Sequence, residues 1–582
     1  MSKTDWLLEW AKENGAELSP NLQFKELSSD NYGAISTAAD SKASISIPRQ
    51  LIITSDRAQA LFSEETYTKS TNRLALVKLF LSYARTKETF YKPYVDSLPS
   101  LVAIDSPYTW PPEDLKLIEG TNLGNSLREN IASIVEEWWC ALNLVPDEIQ
   151  KPEEHFINMK FYYEFKFYQN DDLYSYFTET PVANWTAFPN YLWATLIFKS
   201  RAFPAYIIDS SVAKNESMLL PVVDLLNHEP SAKVEWTGTD GNFKFETAKC
   251  GAAGSQVFNN YGLKGNEELL LGYGFAINPN HNDSVALKLQ IPAESLKKIK
   301  ARGIKLPTLE DYTNSVVERE TPTANQDNKD SKDNILLFIN DKNVPDNLIQ
   351  IFQVLVQNAW ETGITLRNRL AGLNHLRAAF EAKKKLLKLD GVDETTKTCR
   401  RKQYINWYIT SQDKILGSAI REIKRKEKQL LSDYKSQLIS LKSVYKRDIK
   451  FQQSLLFLGF NDYESILESE FQDQCWLLWL IRCYNKPHYS KEPQEDQFLP
   501  DWIHELFTKL RKSTDVSTQD VLNFKPIHDN IMPELTSSVP EVYTRGDWSV
   551  GEFVVAAKLL DLVSFVRGKE QECIVVEQEY HV

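Results

Sequence analysis

The sequence predicts an α+β protein in which a β-rich region is split by a helical insertion and followed by a helical C-terminal half. Three observations predict it. Short β-type runs cluster at 20–53 and again at 218–291. Between them, from about 56 to 200, the pattern turns mostly helical, with Trp and Tyr frequent. Beyond a polar stretch at 314–334, helical periodicity dominates. At 582 residues the chain is too long for one ordinary core, so two or three domains are expected.

Residues 4–14 read as a helix with Trp6, Leu7 and Trp10 on one face, Thr4 or Asp5 as its cap and Gly15 as its stop. Ile35, Ile45, Ile47 and Ile52 fall in short β-type runs punctuated by Pro48. The second β-rich region reads as strands at 219–223, 234–236, 243–246 and 256–260. Val285, Leu287, Leu289 and Ile291 then alternate cleanly. The segment 314–334 is almost free of large apolar side chains and reads as a loop or linker. Helical runs follow at about 346–388 and 411–448; in the second, Ile415, Ala419, Ile423, Leu430, Tyr434, Leu438 and Leu441 fall near helical spacing.

Composition narrows the function. Hydrophobic residues at 42% and charged residues at 25% are those of a soluble globular protein. A net charge of −12 argues against a nonspecific nucleic-acid binder and favours a basic protein partner. The six cysteines form no CxxC pair, so free thiols in a reducing compartment are expected, with Cys475 and Cys483 as core residues. No secretory signal and no membrane-spanning run is expected. GxGxxG after a strand, GxxxxGK[ST], HExxH and GxSxG are all missing, which leaves dinucleotide, P-loop, metalloprotease and serine-hydrolase readings without a starting point.

The stretch with chemical content runs from Asn259-Asn260-Tyr261-Gly262 to Leu271-Gly272-Tyr273-Gly274-Phe275. Two Tyr-Gly pairs flank one short helix. Asn266 is its expected cap, Glu267 and Glu268 complement the macrodipole in its first turn, and Gly272 is its expected end. A strand, a tyrosine at its end and a capped helical turn hold two phenols near one another, where they orient an amine or a cation without being consumed. Either pair alone would mark a turn beside core packing.

Four segments in order resemble the SET-domain protein-lysine methyltransferases of the branch that includes the Rubisco large-subunit lysine methyltransferase. They are Asn31-Tyr32-Gly33-Ala34-Ile35 with Ser46-Ile47-Pro48-Arg49, Ser200-Arg201-Ala202-Phe203, Asp224-Leu225-Leu226-Asn227-His228, and the block from Tyr261 to Phe275. With Pro93-Tyr94 and Thr121-Asn122-Leu123-Gly124-Asn125-Ser126, the pattern looks closest to the fungal ribosomal-protein lysine methyltransferases. The first loop keeps only Gly33 where the family has more glycine to let backbone approach the cofactor.

The resemblance implies an α+β SET fold divided as 1–55 (N-terminal helix and first part of the SET domain), 56–200 (helical insertion), 201–295 (remainder of the SET domain with the active site) and 296–582 (all-helical substrate-binding domain). It implies S-adenosylmethionine as methyl donor. Tyr261 and Tyr273 are then the catalytic pair. Tyr32, Gly33, Ala34, Ser200, Arg201, Phe203, Asp224, Asn227, His228 and Tyr273 line the cofactor site, and no metal is implied. Arg201 would meet the cofactor carboxylate, Phe203 its apolar parts, and Asn227 and His228 its polar edges. A free lysine needs about 4.6 kcal/mol to become a neutral nucleophile at pH 7, and burial beside a sulfonium lowers that cost. The expected partner is a protein, a basic ribosomal protein of the large subunit, with no direct nucleic-acid or membrane partner. A monomer in the cytoplasm, with the nucleus a second location, is expected. The alternatives are a lysine of a translation elongation factor, a protein histidine, and a non-catalytic SET-fold scaffold. The basic run 421–450, with ten Lys or Arg against four acids, reads as a solvated helix face rather than a docking surface.

Overall fold

A computed structural model describes residues 2–28, 31–152, 155–168, 176–177, 183–307, 334–388, 399–489, 498–568 and 572–578. The chain forms two compact units. The first comprises Met1–Ala286, Pro307–Lys329 and Leu386–Lys414; the second comprises Leu287–Leu306, Asp330–Lys385 and Ile415–Val582. The polar segment 314–334 lies outside the described residues except for Asn334, which opens a strand.

The first unit begins with the helix Lys3–Glu13. Its cap is Ser2, not Thr4 or Asp5. The Ser2 hydroxyl accepts from the Asp5 N–H and the Asp5 carboxylate accepts from the Ser2 N–H, both at 3.0 Å. Thr4, Leu7 and Ala11 form the buried stripe with Trp10 beside it. Trp6, expected on that face, lies off the stripe and is 40% exposed.

Three small antiparallel sheets build the β-rich part. Glu17–Leu18, Ser44–Ile47, Asn242–Thr247 and Val234–Thr239 form the first, in that order. Ile45 and Ile47 face the core opposite Phe245 and Phe243, as the two-residue period of a strand requires. Leu22–Ser28, Asn31–Ser36 and Gln256–Val257 form the second. Asn31, Tyr32 and Gly33, expected as a loop, therefore open its central strand. Ala202–Pro204 pairs with Ser217–Leu219 in the third. The strand expected at 219–223 ends at Leu219. Pro221 has no N–H to extend it, and the Val223 N–H donates to the Pro221 carbonyl in a tight turn.

The insertion is helical, from Ser55–Phe62 to Phe188–Arg201. Every residue from Phe188 to Phe198 is buried, so this last helix is packed on all sides and ends at the third sheet. The Thr121 segment is a helix start: the Thr121 hydroxyl accepts from the Gly124 N–H at 3.1 Å and caps Asn122–Asn143.

Helices dominate the second unit, but it also holds the antiparallel sheet Leu438–Ser440, Glu572–Val576, Ser564–Arg567. A five-residue strand such as Glu572–Val576, with three β-branched residues, carries too little periodicity to be separated from a helix in sequence. The helical run expected at 346–388 is two helices, Asp346–Leu355 and Leu366–Lys385. Between them the Glu361 carboxylate accepts from Arg367, Asn368 and the Asn358 N–H, a set of bonds that favours a turn. The run expected at 411–448 begins earlier, in Arg400–Asp433, and is broken by the strand Leu438–Ser440. Its basic residues behave as a solvated face: Lys426 meets Glu422 at 3.6 Å and Lys424 meets Glu381 at 3.1 Å. Cys475 and Cys483 are buried in a core with Trp476 and Trp479, and burial pushes the Cys475 thiol up to about 12. Among the described residues no helix is long and apolar enough to cross a membrane.

Candidate active site

The site lies within the first unit, where two segments distant in sequence run side by side. After the strand Gln256–Val257 the chain reaches Asn259, which bridges His228 in parallel. The Asn259 N–H donates to the Asn227 carbonyl at 2.8 Å, and the Glu229 N–H donates to the Asn259 carbonyl at 3.0 Å. Asn227 donates through Nδ2 to the Tyr32 carbonyl at 3.3 Å. Gly33 makes that approach possible: a Cβ there would stand 2.6 Å from Leu27 Cδ1, 2.8 Å from Gln256 Nε2 and 3.1 Å from Asn227 Nδ2. Segments 31–34, 227–228 and 256–261 are thus interlocked.

Two tyrosines and a histidine stack in a column. The His228 and Tyr261 rings are 4.8 Å apart and 14° from parallel; Tyr261 and Tyr273 are 5.2 Å apart and 18° from parallel. The Lys264 ammonium lies 5.7 Å from the Tyr273 ring centroid and pairs with Glu268 at 2.5 Å. His228 Nδ1 accepts from the Tyr261 N–H at 3.0 Å, so the proton of neutral His228 sits on Nε2. Burial, with a smaller push from Lys264, lowers the His228 pKa and keeps the ring neutral at pH 7. The Tyr261 hydroxyl donates to the Leu226 carbonyl at 2.8 Å, which fixes its direction and leaves its oxygen lone pairs as acceptors. Burial pushes its pKa up to about 12, and burial likewise raises Tyr273 well above the ordinary value. Ionising Tyr261 at pH 7 would cost about 7 kcal/mol. Both phenols are therefore fixed neutral dipoles, suited to receiving an N–H.

Beside the column, Arg201 donates from Nη1 to the Asp224 carbonyl at 2.5 Å. The Asp224 carboxylate accepts from the Tyr94 hydroxyl at 2.8 Å and lies 3.7 Å from Arg201. Burial raises the Asp224 pKa, with Arg201 and Tyr94 opposing it. Other expected site residues have partners of their own. The Ser200 hydroxyl donates to the Leu196 carbonyl of its own helix at 2.7 Å. Ala34 is fully buried between its strand partners Phe24 and Val257. Phe203 packs edge-on against Trp236 and Phe243, at 5.0 and 5.7 Å between centroids. It supports the site through Trp236, whose Nε1 donates to Asn259 Oδ1 at 3.2 Å. Sequence reasoning misses the Leu226 carbonyl and the Lys264–Glu268 pair; no residue-type signal marks a backbone acceptor. Tyr94 enters the sequence pattern only through the family resemblance.

The helix carrying Tyr273 is Asn266–Tyr273, and its ends differ from expectation. Asn266 does not cap it. Asp283 does, accepting from the Asn266 N–H at 2.9 Å, while the Asn266 side chain bonds the backbone N–H and carbonyl of Ile277 at 3.0 and 3.1 Å. Asn266 is thereby a buried strut. Gly274, at φ +72°, ends the helix rather than Gly272. Gly272 is a helix-interior glycine whose added Cβ would meet nothing closer than Lys199 at 3.8 Å. Gly272→Ala is therefore expected to raise stability by about 0.5–1 kcal/mol, read by thermal melting. A loss of melting temperature would show that this helix face is packed more tightly than described.

Comparisons with known proteins agree with this architecture. The family model described as the EFM1 middle domain matches residues 284–434. Ribosomal lysine N-methyltransferase 1 of Saccharomyces cerevisiae is 31% identical over 552 residues, covering 88% of this chain and 90% of that protein. Protein-lysine N-methyltransferase EFM1 of the same yeast is 28% identical over 607 residues, covering 98% and 97%. Among solved structures, the SET domain of LSMT bound to lysine and AdoHcy superimposes with a TM-score of 0.53 at 16% identity, covering 81% of this chain and 98% of that one. At that identity the likeness speaks for the fold.

Proposed function

The chain belongs to the SET-domain protein-lysine methyltransferases, which use S-adenosylmethionine, and on that premise we propose that it methylates a lysine of a large-subunit ribosomal protein at the Tyr261–Tyr273 column. The observation that carries the site assignment is the column itself: two neutral, half-buried phenols, one with its proton committed to the Leu226 carbonyl.

The residues fit the cofactor's chemistry. Arg201 hydrogen-bonds only through Nη1 among the described residues, which leaves further N–H donors for a carboxylate. The buried amide donors Gln256 Nε2 and Asn259 Nδ2 have no partner among the described residues and suit a polar ligand edge. Gly33 and the Asn227 side chain form the narrow crossing beside them. When bound, S-adenosylmethionine supplies an electrophilic methyl group. The protein's part is to orient and to exclude water. The Tyr261 oxygen accepts from the lysine amine and directs its lone pair; Tyr273, held by stacking and by Lys264, walls the channel. A phenol with a pKa of about 12 does not take the amine's proton at pH 7. The ammonium releases its proton to solvent water, and a low-dielectric channel favours that release by disfavouring the charged form.

The ribosomal target has the 31% relative and the net charge of −12 behind it, since ribosomal proteins are basic. A second reading is a target outside the ribosome, such as an elongation-factor lysine. The EFM1 likeness, which spans 98% of the chain and includes a family-model match, supports a protein lysine without specifying a ribosomal one. Incubating the protein and methyl-labelled cofactor with extract from cells lacking it, then separating ribosomal subunits, decides between them. Label on large-subunit proteins is expected; label confined to the soluble fraction removes the ribosomal assignment. Separately, saturating S-adenosylmethionine is expected to raise the melting temperature, because a ligand binding only the native state stabilises it. An unchanged melt would sink the enzyme reading in favour of the scaffold.

A further inference from the structure

Tyr94 is fully buried on the short helix Lys92–Ser97 of the inserted segment, 130 positions from the residue its hydroxyl meets. That residue is Asp224, itself 6% exposed. The Tyr94 hydroxyl donates to Asp224 Oδ2 at 2.8 Å, and the same oxygen stands 3.7 Å from Arg201 Nη1, beyond hydrogen-bond reach. Arg201 Nη1 bonds the Asp224 backbone carbonyl instead, at 2.5 Å. Asp224 Oδ1 is buried with no partner among the described residues. Left alone, a buried carboxylate beside a guanidinium closes the gap and forms the bidentate pair that both groups favour.

We propose that Tyr94 is a positioning residue for cofactor binding: its hydroxyl holds the Asp224 carboxylate off Arg201, so that the guanidinium's remaining donors stay available for the carboxylate of S-adenosylmethionine. The proposal rests on the reading of this site as a methyltransferase site. It also gives the helical insertion a part in that site, through one hydrogen bond.

The groups facing Asp224 are Tyr94 on the inserted helix, Arg201 at the end of Phe188–Arg201, and Tyr261 beyond the strand Gln256–Val257. Tyr273 and the Lys264–Glu268 pair lie behind Tyr261. Both Tyr94 and Tyr261 are raised by burial and stay protonated, and a guanidinium stays charged. Among Asp224 and the three groups that face it, Asp224 is then the one that changes charge on acidification. In the variant the Tyr94 bond that favours the carboxylate is lost, and the closer Arg201 guanidinium favours it instead.

The test is Tyr94→Phe, which keeps the ring and deletes the oxygen. Titrating wild type and variant with S-adenosylmethionine at pH 8, about a tenfold weaker Kd is expected for the variant. The ratio of the two Kd values is expected to shrink once acidification protonates Asp224, because a neutral Asp224 no longer draws Arg201. His228 titrates in both proteins alike and cancels in the ratio. Tyr94→Phe combined with Asp224→Asn is expected to bind the cofactor within about twofold of Asp224→Asn alone, since no carboxylate remains to be restrained. Equal affinity of wild type and Tyr94→Phe overturns the proposal. So does a loss that is constant with pH and persists in the double variant, which is the signature of a merely structural role. If Tyr94→Phe alone does not fold, comparing the double variant with Asp224→Asn decides the proposal by the same criterion: equal affinities support it and a persistent loss overturns it. A wild type that binds no cofactor at pH 8 refutes the methyltransferase reading instead.

Discussion

Tyr261→Phe is expected to lower kcat for lysine methylation by about two to three orders of magnitude, the usual effect of deleting one fixed polar group at a reacting centre, while Kd for S-adenosylmethionine changes by less than about threefold. The reason is local. The ring holds its place between His228 and Tyr273 by stacking, at 4.8 and 5.2 Å, and phenylalanine keeps that stack. Only the oxygen is lost, and with it both the bond to the Leu226 carbonyl and the acceptor for the lysine amine. The orphaned carbonyl costs stability of about 1–3 kcal/mol at most, so a melting curve separates folding from turnover. Slowed single-turnover rates with unchanged cofactor affinity would mark the loss as one of chemistry. A variant with wild-type kcat would remove Tyr261 from the mechanism.

Gly274→Ala is expected to destabilise the first unit by about 3 kcal/mol or more and to abolish activity with it. Gly274 takes φ +72° to end the helix that carries Tyr273, and a Cβ there would lie 1.7 Å from the Ile104 carbonyl oxygen. Backbone on both sides must shift, because neither atom is the end of a flexible side chain. The contrast with Gly272, two residues earlier and free of such contacts, makes the pair of variants informative. Denaturant unfolding followed by tryptophan fluorescence reads the difference. Equal stability of the two alanine variants would contradict the close packing of Gly274 on the turn after Leu101–Ile104.

Much of the site is legible in sequence because its residues are crowded into short motifs. Tyr261, Tyr273, Asn227 and His228 come together as their order predicts, since the chain after the strand Gln256–Val257 runs beside 227–228. What escapes is contributed from a distance. Asp283, not the local Asn266, caps the tyrosine helix from 17 residues away, and no local pattern encodes that. Tyr94 reaches Asp224 from inside the insertion, where a tyrosine looks like any other aromatic in a helical run. The small sheet around Glu572–Val576 escapes for a different reason: short buried strands lack the alternation that a half-exposed strand displays. Arg201 is expected from sequence to meet a ligand carboxylate, and the structure adds the protein groups that hold it, the Asp224 carbonyl and a carboxylate kept at arm's length.

The most direct measurement is mapping of the transferred methyl group. Purified protein and its Tyr261→Phe variant are incubated with methyl-labelled S-adenosylmethionine and extract from cells lacking the protein, and the labelled position is located by tandem mass spectrometry. Label on a lysine ε-nitrogen with wild type, and its loss with Tyr261→Phe, is the result expected. Label on a histidine, or label on lysine that persists undiminished in the variant, would contradict the account.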